Sequence, residues 1–319
     1  MKLDNHAIGG YFELELPKFE LYHQDAIALN TGRNCLEYIL RVRDYRHVYI
    51  PYYTCDVILE PLAKLGISYS FYHIDKNLEL IEDVVLKSDE ALLVTNYFGL
   101  KREHMLRLAA IYGKQLIIDN TQAFFDKPID GIDTFYSCRK FFGVPDGAFL
   151  YCDKVLDLEI EQDESWSRCA HLLKRIDLGA ERGYADYRVN DETLTNQTIK
   201  KMSRLTKRLM QSIDYKQVAM RRIENFKILQ DALDKTNGIH LGLSENSVPM
   251  VYPYLTSDSG LRDRLIHNKI YVAQYWPNVI NWTLKDSVEL HLTNNMLPLP
   301  IDQRCGNDEM LKYLKLLYK

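Results

Sequence analysis

The 319-residue sequence lacks a strong charge of one sign, long apolar runs, paired cysteines, internal repeats and low-complexity tracts. Its 40 basic and 44 acidic residues leave a formal net charge of -4 and a pI near 6.2. The basic excess that draws a protein to nucleic acid or an anionic membrane is therefore missing. No window approaches ~18 uninterrupted apolar residues, the length of a membrane-spanning helix. The first eight residues mix charged and polar side chains without the apolar stretch of a signal peptide, so a cytoplasmic location is expected. Six cysteines (Cys35, Cys55, Cys138, Cys152, Cys169 and Cys305) are scattered, with no CxxC pair and no metal-like spacing with histidine. Neither a disulfide framework nor a metal site is expected, and the thiols read as reduced, small core residues.

What is present is enough apolar material, 46% of the chain, to bury a large core. From about residue 26 to 152, short runs rich in β-branched residues alternate with stretches of helical periodicity, the pattern of βαβ units. The spacing predicts strands over 47–50, 69–74, 91–95, 115–118, 134–137 and 148–152, and helices over 33–42, 57–65 and 102–112. Between 196 and 233 Gly and Pro are nearly absent, and Ile199, Met202, Leu205, Leu209 and Ile213 recur near helical spacing, which predicts one or two long helices. Lys200, Lys201, Arg204, Lys207 and Arg208 in that stretch read as the solvated face opposite a buried stripe. After the turn signal Thr236-Asn-Gly238, shorter strand and helix candidates alternate at 248–252, 261–267, 270–274, 288–292 and 310–317. The fold class is α/β, with a large domain over 1–210 and a smaller α/β domain over 211–319.

Three stretches carry chemistry. In the first, Ser137 closes a strand-like run, Lys140 follows three residues later, and the turn-rich Gly143-Val-Pro-Asp-Gly147 leads into another strand. Alone, Lys140 would read as a surface lysine. In the second, an apolar strand ends at Asp119 with Gln122 three positions on, and in open parallel sheets ligands sit beyond such strand ends. A carboxylate there suits pyridoxal 5'-phosphate (PLP): held against the pyridine nitrogen, it keeps the ring protonated and able to accept an electron pair from a substrate Cα. In the third, Thr31-Gly32-Arg33 opens a helix, where Thr31 can cap, Gly32 permits close approach and free amides with Arg33 can hold a phosphate.

In order and content these stretches resemble fold type I PLP enzymes, and most closely the DegT/DnrJ/EryC1/StrS family of aminotransferases. Asp119-Asn-Thr-Gln122 is similar to that family's Asp-x-x-Gln, and Lys140 to Asp146-Gly147 is similar to its stretch from the Schiff-base lysine to an acid followed by glycine. Looser likeness continues in Gly183-Tyr-Ala-Asp-Tyr-Arg188, Arg222-Ile-Glu-Asn-Phe226, the Tyr-Trp-Pro of 260–276 and Leu297-Pro-Leu-Pro-Ile-Asp302. The chain departs from the pattern in four places. The interval between Ser137 and Lys140 is two residues shorter, Cys55 stands where an aromatic usually stacks on the ring, Ala185 replaces an interface Asn, and the C-terminal region is short.

The resemblance implies a mostly parallel sheet flanked by helices, PLP as cofactor, and a homodimer with shared active sites. It further implies a Lys140 internal aldimine with Asp119 as the acid of the electron sink, Gln122 beside the ring, and Thr31, Gly32, Arg33 and Ser137 around the phosphate. Tyr53 or Tyr52 would supply the stacking face beside Cys55, and Asn96 would touch ring or substrate unless it is a turn residue. The implied activity is transfer of an amino group from glutamate to a keto sugar linked to a nucleotide. Another PLP reaction, such as that of a lyase or decarboxylase, and a non-catalytic binding protein on the same fold stay open, while Lys140 argues against the related sugar dehydratases, which carry histidine at that position.

Overall fold

The computed structural model describes residues 8–317. The first strand, β1 (Ile27–Leu29), leads into helix α1 (Gly32–Arg43), then β2 (His47–Pro51), α2 (Leu59–Leu65), β3 (Ser68–Tyr72), β4 (Glu90–Thr95), α3 (Arg102–Tyr112), β5 (Leu116–Asp119), β6 (Asp133–Ser137) and β7 (Ala148–Tyr151). These seven strands form one sheet in the order β1-β7-β6-β5-β4-β2-β3. The β6-β5-β4-β2-β3 pairs are parallel, and only β7 runs against its neighbours.

Every residue of β4 and of β5 is buried, as expected for central strands covered on both faces. Strand alternation sorts the side chains into two cores. Ala91, Leu93 and Ile117 join Leu36, Ile39 and Leu40 of α1 on one face. Leu92, Val94, Leu116 and Ile118 lie on the other, in a cluster that continues into the C-terminal part of the chain. Helix α1 is tied to the sheet by Arg43, whose guanidinium forks onto Asp133 at the start of β6 with two 2.7 Å hydrogen bonds.

After β7 come α4 (Ala170–Leu178) and α5 (Ala180–Thr193), a helical hairpin outside every expected element. Few of its residues are buried, which is why no apolar stripe announced it. Next come α6 (Arg204–Met210) and the long α7 (Tyr215–Leu233), each capped by a side chain, Ser203 and Asp214 respectively. The chain closes with β8 (Val251–Leu255), α8 (Leu261–His267), α9 (Val279–Trp282), α10 (Val288–Asn295), β9 (Met296–Pro300) and α11 (Asn307–Leu317). Strands β8 and β9 form a separate antiparallel pair, where Pro253 and Pro298 face one another; a two-stranded sheet tolerates this because each strand has a free edge. No strand forms over 270–274. Among the described residues no helix is long and apolar enough to cross a membrane.

Candidate active site

The parallel strands all deliver their carboxyl ends to one edge of the sheet, where a cavity of about 980 Å³ opens. Thr31, Gly32 and Arg33 after β1, Cys55 after β2, Asp119 and Thr121 at the end of β5, Ser137 at the end of β6 and Lys140 after it all line it. Seven of the expected residues are thereby brought together, from segments more than a hundred positions apart.

Lys140 stands in the turn beyond β6 rather than on the strand, and its Nζ donates to Thr121 Oγ1 at 2.8 Å. The turn is held from behind. The carbonyl of Phe141 accepts from Gln303 Nε2 at 2.8 Å and Arg222 Nη2 at 3.4 Å, and the Arg222 guanidinium lies 4.6 Å over the Phe141 ring. At the far end of the turn Asp146, fully buried, accepts from Arg168 and Thr206. Gly147 follows at φ +106°, and a Cβ there would meet Thr206 Cγ2 at 2.8 Å, so only glycine fits. Asp146 therefore shapes the lysine's turn from outside the cavity, while Gly147 lines it.

Asp119 is buried, and its Oδ1 accepts the Thr121 amide at 2.8 Å while Oδ2 has no protein partner among the described residues. Thr31 caps α1, its Oγ1 accepting the Asn34 amide at 3.1 Å. No acid lies in the first turn, so the positive helix end and its unpaired amides are open to an anion. Arg33 reaches the cavity with its charge already matched, because Nη1 pairs with Glu60 at 2.8 Å. The Ser137 hydroxyl has no protein partner among the described residues. Burial pushes the Cys55 thiol up, against a smaller opposite pull from Lys140, so at neutral pH it is a small neutral wall.

Three expected residues lie behind the wall. Gln122 is fully buried, its Oε1 accepting the Phe98 amide at 3.0 Å and its Nε2 left without a partner. Asn96, also fully buried, donates to Asn120 at 3.1 Å and Asp126 at 2.6 Å and accepts from the Lys101 amide, so its polar atoms are spent on the loop. Tyr53 is fully buried, packed edge-on against Trp276 at 4.9 Å, and Tyr52 stacks on Phe71 at 4.6 Å; neither lines the cavity. The aromatic surfaces that do are Phe135, Phe141, Phe142, Tyr187, Tyr271, Tyr275 and Trp276. Thr121, inside the Asp-x-x-Gln stretch, and Arg222, in the α7 stretch, were the contributors that residue type alone did not single out.

Matches to 705 solved chains include several that cover nearly the whole chain. A DegT DnrJ EryC1 StrS aminotransferase from Brucella abortus is 14% identical, with 92% of this chain and 85% of that chain covered at a TM-score of 0.61. The sugar aminotransferase CalS13 from Micromonospora echinospora is 13% identical, covering 92% and 86% at 0.59. The E. coli GDP-4-keto-6-deoxy-D-mannose-3-dehydratase with bound hydrated PLP is 16% identical, covering 92% and 87% at 0.62. This chain has the fold type I architecture of DegT/DnrJ/EryC1/StrS sugar aminotransferases. No protein-family model matches the sequence, and no curated protein matches it.

The residues fit PLP. An amine, an acid with a free oxygen, an unpaired hydroxyl and an open helix end share one cavity, and at Gly32 a Cβ would stand 3.4 Å from Thr121 Cγ2, so the helix end packs closely on the β5 loop.

Proposed function

We propose that this chain is a PLP-dependent aminotransferase acting on a keto sugar linked to a nucleotide, with glutamate as amino donor. The observation that carries the reading is Lys140 Nζ beside Thr121, in the same cavity as Asp119 and the bare α1 end. Lys140 would hold PLP covalently, Asp119 would face its ring nitrogen, and Thr31, Gly32 and Ser137 would hold its phosphate. When bound, PLP supplies an electron sink for the pair left as a Cα–H bond breaks. Once the donor amine displaces it from the cofactor, the Lys140 amine, oriented by Thr121, would take the proton from the donor Cα in the first half-reaction and deliver one to the acceptor carbon in the second. Asp119, fixed by the Thr121 amide, would present its free oxygen to that ring nitrogen. Cys55 and Trp276 keep water from the reacting face.

Lysine at position 140 supports transfer over the dehydration catalysed by the E. coli neighbour. A homodimer belongs to the same reading, supported by the outer face of the α4–α5 hairpin, where Ile176, Tyr184 and Val189 stand exposed. The reading is tested by adding L-glutamate to PLP-loaded protein. It predicts conversion of the bound cofactor to its pyridoxamine form with release of 2-oxoglutarate, abolished in Lys140→Ala. Loaded protein that releases no keto acid from glutamate, yet cleaves or decarboxylates another amino acid, contradicts it.

A further inference from the structure

The part of the cavity lining supplied by α4, α7 and the segment after β9 carries a charge imbalance. Arg222 of α7 is only 2% exposed, and its guanidinium donates to the Met250 carbonyl at 2.9 Å and to Gln303 Oε1 at 3.1 Å, with no carboxylate in ion-pair range. Arg304, beyond β9, forks onto Asp302 at 2.7 and 2.8 Å. Arg175, on α4, makes no hydrogen bond or ion pair among the described residues, although its neighbour Lys174 pairs with Asp186 at 2.8 Å. All three arginines line the cavity, and Asp302 is the carboxylate among them. The other acids lining the cavity, Asp119 and Asp191, belong to the β5 end and to Arg139.

Three guanidinia against one carboxylate, with Arg222 buried and Arg175 and Arg304 exposed, leave a positive excess that an entering anion would neutralise. The electrostatics agree. Burial and the charge of Arg304 hold Arg175 below the usual arginine value, and burial lowers Arg222 to about 10. Guanidinium forks match planar carboxylate and phosphoryl oxygens.

We propose that Arg175, Arg222 and Arg304 form a second anion-binding subsite in the cavity, separate from the α1 end, that takes a carboxylate or phosphoryl group of a substrate. It is built from α4, α7 and the segment after β9, none of which supplies the α1 end. The inference rests on reading this cavity as the active site. Its ligand is the substrate's remote anionic group, held while the reacting carbon faces Lys140. Arg222 is the buried member, held by Gln303 and the Met250 carbonyl, and Arg175 and Arg304 are the exposed ones.

The test is calorimetric titration of PLP-loaded protein, whose α1 end is filled, with glutarate and separately with inorganic pyrophosphate. Binding of at least one probe is expected, weakened about tenfold or more in Arg175→Met and in Arg304→Met, as loss of a charge-assisted pair implies. Whichever anion binds tells carboxylate from phosphoryl. Absence of binding by both probes, or binding in Arg175→Met equal to wild type, overturns the subsite. If the protein takes up no PLP, the proposed function fails, and the same titration on cofactor-free protein still decides the subsite through its dependence on Arg175.

Discussion

His23 is enclosed in aromatic rings, with Nε2 2.8 Å from the Phe124 carbonyl and Nδ1 3.1 Å from the Tyr151 hydroxyl. Burial lowers it to about 4, against an ordinary value of 6.5. Because the folded state holds fewer protons than the unfolded state between these values, the stabilisation is complete above pH 6.5 and is lost as pH falls toward 4. The shift corresponds to roughly 3 kcal/mol. Urea midpoints measured from pH 7 to pH 4 should fall steeply, and His23→Gln should flatten the decline. Tyr53 gives the opposite kind of prediction. Its hydroxyl is buried without a partner, so Tyr53→Phe removes an orphan donor and should leave stability unchanged or raised by up to about 1 kcal/mol, read from the urea midpoint. A stacking role would instead have shown as altered cofactor absorbance. At this scale the sequence marked Lys140, Asp119, Thr31, Gly32, Arg33, Cys55 and Ser137 as site residues, and all reach the cavity. Gln122, Asn96 and Tyr53 are buried outside its lining, because residue type and strand position do not reveal which way a side chain turns.

The turn between β6 and β7 is the element on which the site depends. Its closing glycine cannot be replaced without strain: Gly147→Ala adds a Cβ at positive φ against Thr206, and should cost about 1–3 kcal/mol in an unfolding titration. Gln303 acts on the same turn through the Phe141 carbonyl. Gln303→Leu should leave covalent cofactor attachment intact while lowering kcat by about tenfold, with KM little changed, because a small misplacement of Lys140 is costly to proton transfer. Central strands were legible in the sequence because β-branched runs at regular intervals admit little else. The hairpin α4–α5 was not, since it buries too few residues to show a periodic stripe. Strand β9 was not among the expected elements: Pro298 and Pro300 lie in it, and proline is tolerated there because a two-stranded sheet leaves each strand a free edge. Residues 270–274 have a strand's composition but no strand to pair with.

Over the whole molecule, the two cores meet across one sheet whose carboxyl edge supports the cavity, and α7 joins that sheet to the β8–β9 pair through Phe226, Tyr252 and Leu299. Arg222 and Asn225 of α7 then tie the segment after β9 to the lysine's turn: Asn225 Nδ2 donates to the Ile301 and Cys305 carbonyls at 3.1 and 3.0 Å. This explains why stretches that looked only loosely alike in sequence matter together, since they meet behind one side chain. The proposed dimer should appear in light scattering as twice the chain mass of 37.4 kDa, and Ile176→Asp, on the hairpin's outer face, should shift it toward monomer. The central claim is covalent attachment of PLP at Lys140. Protein incubated with PLP, reduced with borohydride and digested should carry a pyridoxyl-phosphate mass on the peptide containing Lys140, and Lys140→Ala should carry none; label absent from that peptide, or placed equally on other lysines, would contradict the account.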